Sequence, residues 1–186
     1  MHRALVELAQ RGDEEAFADL TRAVGDGLLA IAYRILRDVN RAEDAVQQAL
    51  VTAWRELPTL RDPDRFEAWL RRLLVHACYA EARRQRRWAV NVRLLPIHES
   101  ASGDDAIATV ADRDQLERGF RRLSPEQRAI FVFHHHLGLT LTEIADELGV
   151  PLGTVKSRLF YATSTLRAAL DADARAVTSP STERLA

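Results

Sequence analysis

Two helix starts are spelled out inside residues 124–170, and they leave this stretch few folds to adopt. Ser124 with Gln127, and Thr140 with Glu143, both have capping-box spacing, in which each partner satisfies a backbone donor of the other. Pro125 stands at a first helical position, where its missing N–H costs nothing. An apolar helix runs from there to Leu137. Ile144, Ala145 and Leu148 then share one face, Gly149 permits a tight turn, and Pro151 opens another helix. Val155, Leu159, Ala162, Leu166 and Ala169 keep helical spacing along it, and Thr154, Lys156, Ser157 and Arg158 line the other side of its start. Two helices across a tight turn, with short polar and cationic side chains at the start of the second, form the geometry that reads base edges in a major groove.

The rest of the chain predicts an all-α fold of two small helical domains joined by a flexible linker. Residues 13–24 and 27–37 each read as a helix, the first opening at Asp13. Residues 41–57 carry an uninterrupted stripe of Ala42, Ala45, Val46, Ala49, Leu50, Ala53, Trp54 and Leu57, with Asn40 and Glu43 as its cap pair. Pro58 to Pro63 is a turn, and Asp62 with Pro63 launches a long helix bearing Phe66, Trp69, Leu70, Leu73 and Leu74 on one side. Periodicity fades from Asn91, where Pro96, Ser100, Ser102, Gly103, Asp104 and Asp105 mark an acidic linker. The expected division is a first domain over 1–90, a linker over 91–111, the helix-turn-helix domain over 112–170 and a disordered tail over 171–186.

A net charge of −1 looks wrong for a nucleic-acid binder until it is resolved along the chain. Residues 1–60 carry −3, 61–93 carry +5, 94–120 carry −4, 121–170 carry +2 and the tail −1. A DNA footprint needs a local patch and not a basic average. The patch is the end of the long helix: Arg71, Arg72, Arg83, Arg84, Arg86 and Arg87, with Tyr79 and Trp88 nearby. Arginines clamp phosphates while aromatic rings stack on exposed bases, which suits DNA being opened as well as duplex. The solvent side of helix 41–57, with Glu43, Asp44, Gln47, Gln48, Thr52 and Arg55, is by itself an ordinary polar face.

Other classes are excluded. No run of about 18 apolar residues spans a membrane, and the charged N-terminus has no signal-peptide core. Cys78 is the lone cysteine, so an internal disulfide or a thiolate zinc cage is ruled out, and a reducing cytoplasm fits. His134, His135 and His136 point about 100° apart on a helix, where two ligands on one face need i, i+3 or i+4 spacing. No phosphate loop, nucleophile elbow or HExxH motif is present, so no catalytic residue, metal or cofactor is expected.

The order of short motifs is more specific than any of them. Gly12 to Phe17, Ala42 to Gln47 with Ala53 and Trp54, and Phe66 to Leu70 precede a basic helix end. Leu123 to Gln127, Ile144 with Ala145, and Gly153 to Leu159 follow the linker. Over roughly residues 10–90 and 112–170 the chain resembles the extracytoplasmic-function (ECF) group of bacterial RNA polymerase sigma factors. That resemblance implies a protein that binds core RNA polymerase and directs it to promoters, leaving catalysis to the polymerase. The family's polymerase-docking helix matches Asp44, Gln47 and Gln48, the last standing where relatives usually carry Glu. Its −10 promoter reader matches residues 58–87, so Arg61, Arg72, Tyr79, Arg83, Arg84, Arg86 and Arg87 are the expected contacts, and the turn from Thr59 to Asp64 would hold a flipped base. Its −35 reader matches Thr154, Lys156, Ser157, Arg158, Phe160 and Tyr161. Many relatives carry further arginines at the positions of Tyr161 and Thr163. The family often has anti-sigma partners, although no residue here identifies one.

The resemblance also accounts for the charge pattern: acidic segments repel DNA and suit the basic surfaces of core polymerase. The rival reading is a stand-alone helix-turn-helix regulator whose first half senses a ligand or dimerises. A helical adaptor that does not read DNA is a second, and the polar start of helix 151–170 argues against it.

Overall fold

The computed structural model describes residues 3–92 and 117–177, with side chains over 3–88 and 117–171. Every regular element among them is helical. In chain order these are α1 (Arg3–Gln10), α2 (Glu14–Leu36), α3 (Val39–Glu56), α4 (Phe66–Val92), α5 (residues 117–122), α6 (Pro125–His135), α7 (Leu141–Leu148) and α8 (Leu152–Val177), with 3-10 turns at Leu57–Thr59 and Pro63–Arg65 between α3 and α4.

Local chemistry sets most boundaries. The Asp13 carboxylate accepts from the Ala16 N–H to open α2, and Asp38 accepts from Arg41 to open α3. The cap of α3 is therefore Asp38, and Asn40 lies inside the helix. Both expected capping boxes are formed, Ser124 with Gln127 and Thr140 with Glu143. Gly149 sits at φ 65° and donates its N–H to the Ala145 carbonyl, closing α7 in the left-handed conformation that glycine adopts freely. The Pro151 carbonyl accepts from Thr154 and Val155 at the start of α8.

Four expectations change. The two helices read at 13–24 and 27–37 are one, because α2 runs straight through Gly25 and Gly27. Each glycine costs about 1 kcal/mol against alanine in a helix. Burial of Leu20, Leu28, Ile31 and Ile35 outweighs this at about 1.5–3 kcal/mol per side chain. Residues 3–10 form a helix that the sequence pattern did not mark. The long helix begins at Phe66, after a 3-10 turn capped by Asp62. Finally, α8 continues to Val177, so residues 171–177 belong to a helix and not to a tail; alanine-rich sequence there favours helix. The linker core over 93–111, residues 112–116 and the tail beyond 177 lie outside the described residues.

Alanines at 42, 45, 49 and 53 let α3 lie close against α2 and α4. Phe66, Leu70, Leu74, Val75 and Cys78 of α4 are buried. From the second half, α6 packs against α2 and α4, and α7 packs against α4. Ile130, Phe133, Ile144, Leu148 and Val155 consequently share one continuous core with the residues of α1 to α4. A smaller cluster of Leu123, Ala162 and Leu166 fixes α8 to α5 and α6.

Candidate nucleic-acid and polymerase interfaces

The α3 face follows directly from its alanine stripe. With Ala42, Ala45 and Ala49 turned inward, Asp44, Gln47 and Gln48 are all exposed. Gln48 donates to the Thr52 hydroxyl, and Arg84 of α4 reaches Asp44 at 3.4 Å in a solvent-exposed pair. Beside this face α2 and α3 leave an open, largely apolar groove of about 790 Å³, lined by Phe17, Leu29, Val46, Gln47, Leu50 and Trp54 among others.

The turn between α3 and α4 is held from one side. The Gln10 side-chain amide donates to the carbonyls of Leu57 and Leu60 at 3.1 and 2.7 Å, and Arg3 pairs with Asp64 at 2.7 Å. Arg61 at its tip is exposed. Further along, Arg83, Arg84, Arg86 and Arg87 are exposed on α4, and Trp88 is 70% exposed, so the expected basic patch is a surface.

At the start of α8, Lys156 and Ser157 are exposed and Thr154 and Arg158 half-buried. Phe160 and Tyr161 stand 67% and 60% exposed with ring centroids 5.8 Å apart. Two aromatic rings thus stand next to each other in solvent.

Tyr79 departs from expectation. Read as a base-stacking ring, it lies instead against the shared core, with its hydroxyl buried and lacking any hydrogen-bond partner. Burial raises its pKa, and Glu126 and Arg158 are among the charges it feels. Arg72 lies over the Gly149 turn, its guanidinium 3.0 Å from where a Cβ would stand. In this arrangement two residues assigned to −10 DNA thus face the helix-turn-helix, one of them beside a residue assigned to −35 DNA. The cause is the packing of α6 and α7 on α4.

Three contacts hold that packing. Arg71 donates in bidentate fashion to the Glu147 carboxylate at 2.7 and 2.9 Å. Arg128 donates to the carbonyl of Ile35, near the C-terminal end of α2, at 2.7 Å and to that of Leu123 at 3.1 Å. Arg37, itself left-handed at φ 59°, pairs with Glu117 and stacks over the rings of Tyr33 and Phe120. None was assigned a role from sequence: an ion pair between α4 and α7 leaves no periodic signal, although Arg71 was part of the arginine run. His134 is half-buried with Nδ1 2.9 Å from the Leu139 carbonyl, and no metal-binding group of side chains occurs among the described residues.

Residues 20–88 match the family model for sigma-70 region 2, and residues 113–166 that for sigma-70 region 4. The chain is 33% identical to an RNA polymerase sigma-E factor of Streptomyces coelicolor over 94% of its own length and 99% of that protein. It belongs to the ECF group of the sigma-70 family. An ECF RNA polymerase sigma factor, SigL of Mycobacterium tuberculosis, is 33% identical over 86% of this chain and 93% of its own. Among solved structures, the chain is similar to the sigma factor RpoE in complex with the anti-sigma factor NepR from Bartonella quintana (25% identity, TM-score 0.65, covering 84% of this chain and 98% of that one). It is also similar to CnrH in complex with the cytosolic domain of CnrY (28% identity, TM-score 0.63, covering 92% and 97%). As an ECF sigma factor the chain binds core RNA polymerase and directs promoter-specific initiation. A stand-alone regulator is not favoured, since the first half is region 2 and not a sensor. Among the described residues no helix is long and apolar enough to cross a membrane.

Proposed function

We infer that this sigma factor presents its polymerase-docking face first and its promoter readers second. The observation that carries this is an asymmetry of exposure. Asp44, Gln47 and Gln48 are open to solvent, whereas Tyr79 and Arg158 are half-buried beside the packing between the two sigma regions, and Arg72, itself exposed, has its guanidinium laid over the Gly149 turn. Core polymerase engages α3 through Asp44 and Gln47, with Gln48 contributing an amide where relatives usually carry a carboxylate. Separation of the regions then releases Arg72 and Tyr79 to join the already exposed Arg61, Arg83, Arg84, Arg86 and Arg87 on the −10 element. Thr154, Lys156, Ser157, Arg158, Phe160 and Tyr161 read the −35 element.

Tethering both readers to one enzyme raises the effective concentration of each at a promoter once the other is bound. The protein performs no reaction of its own and works in the cytoplasm, where polymerase and chromosome are. An anti-sigma partner is part of this reading, because the similar sigma factor RpoE is in complex with the anti-sigma factor NepR.

The test is transcription in vitro with purified core polymerase and a pool of genomic promoters, alongside core-binding titrations of Asp44→Arg. The expected result is new start sites with the native protein and weakened core binding by the variant at unchanged helical content. Native-strength binding by the folded variant removes α3 from the interface.

A further inference from the structure

A second cavity lies away from both the α3 groove and the reading edge of α8, and its charge is of one sign. It encloses about 380 Å³ where the end of α2, the last described turns of α4 and the α5–α6 corner meet. Four arginines line it: Arg86 from α4, Arg121 and Arg122 from α5, and Arg128 from α6, with the amides of Gln85 and Gln127 between them. No carboxylate lines it.

Of the acids nearby, Glu117 and Glu126, the first is already engaged. Glu117 pairs with Arg37 and meets Arg121 only at 3.8 Å. Arg86 and Arg122 have no ion-pair or hydrogen-bond partner among the described residues. Arg128 is pinned by the Ile35 and Leu123 carbonyls through Nη1 and Nε, so its orientation is fixed before any ligand arrives. Desolvation first, then Arg37 and Arg86, lower its pKa, with Glu126 opposing. The pocket also stands at the N-terminal end of α6, where the helix dipole adds to the same sign.

We propose that this pocket binds a small phosphate-bearing anion, gripped by Arg86 of region 2 and by Arg121, Arg122 and Arg128 of region 4. Guanidinium groups converging from three helices suit a many-oxygened tetrahedral anion, which accepts several charge-assisted hydrogen bonds at once. A volume of about 380 Å³ is at the small end of ligand cavities and leaves room for more than one phosphate group. A DNA duplex does not enter it. Because the walls come from both sigma regions, all four arginines surround the anion only while the regions are packed. The bound anion therefore favours the packed arrangement, and by linkage anything that separates the regions weakens its binding.

The experiment is calorimetric titration of the full chain with inorganic pyrophosphate and with phosphate, at constant ionic strength against chloride. Saturable one-site binding is expected, tighter for pyrophosphate, weakened at least tenfold by Arg122→Gln and unchanged by Arg11→Gln, a charge control on the α1–α2 turn. Arg122 is exposed and has no partner among the described residues, so its variant keeps the native circular dichroism. Heat no greater than in chloride, or equal affinity in Arg122→Gln, overturns the site. Displacement of pyrophosphate by a non-promoter DNA duplex, with the same loss of duplex binding in Arg122→Gln, assigns the arginines to DNA backbone and also overturns it. Hydrogen exchange supplies the second readout: pyrophosphate should slow exchange in α6 and α7, and unchanged protection refutes the link to packing. None of these outcomes depends on promoter activity, so the site stands or falls apart from the functional reading.

Discussion

Arg71 of region 2 and Glu147 of region 4 form a bidentate ion pair, with the carboxylate side chain only 7% exposed. The pair joins the helix assigned to −10 DNA to the first helix of the helix-turn-helix. Removing either partner leaves the other poorly solvated, and such losses cost about 1.5–3 kcal/mol where a charge-assisted bond is involved. Glu147→Gln and Arg71→Gln should each lower the denaturation midpoint. Their double variant should show a coupling energy of about 1–3 kcal/mol in a mutant cycle. Strict additivity would mean that the pair contributes nothing to holding the regions together.

Two glycines should respond in opposite directions to alanine. Gly149 is at φ 65° with the Arg72 guanidinium 3.0 Å from its missing Cβ, so Gly149→Ala should destabilise by about 1–2 kcal/mol from the backbone alone. Gly27 lies inside α2 with nothing within 4 Å of a Cβ, and Gly27→Ala should stabilise by about 0.5–1 kcal/mol. Chemical denaturation of both variants checks the pair; a stabilised Gly149→Ala would contradict the turn geometry.

Cys78 is fully buried in α4, and burial pushes its thiol up to about 12. The unfolded chain loses this proton near the ordinary thiol value, about 8.5. Above that pH the unfolded state binds fewer protons than the folded one, so stability falls as pH rises, by up to about 1.4 kcal/mol per unit. Tyr79 adds to the same slope above its ordinary value of about 10. The thiol is therefore isolated between pH 9 and 10, where Cys78→Ala should flatten the decline. An identical slope in the variant would exclude it as the source.

Arg158 tests the −35 assignment. Its replacement by alanine should reduce open-complex formation on promoters that need a −35 element by about 1–3 kcal/mol, the worth of a bidentate base contact. Promoters that start from an extended −10 sequence alone should be spared. Equal activity on every promoter would leave Arg158 with a packing role beside Tyr79.

The helix-turn-helix was legible because its signals are local: two capping boxes, Gly149 and a five-residue apolar stripe in α8 lie within 46 residues of one another. The exposed face of α3 was legible for the same reason, since four alanines fix which side is buried. Contacts between distant segments were not. Tyr79 looks in sequence like an aromatic in a basic patch, and only the docking of α6 and α7 decides that its ring is covered. Gly25 and Gly27 suggested a break because propensity is local, while the apolar side chains that keep α2 whole are anchored on other helices.

Because one continuous core runs through regions 2 and 4, separating them opens apolar surface along that core as well as Tyr79. The opened protein is thus a sticky molecule, prone to self-association unless something shelters that surface. Opening is best understood as a hand-over, in which the apolar surface passes from one half of the chain to a waiting macromolecule without a free interval in water.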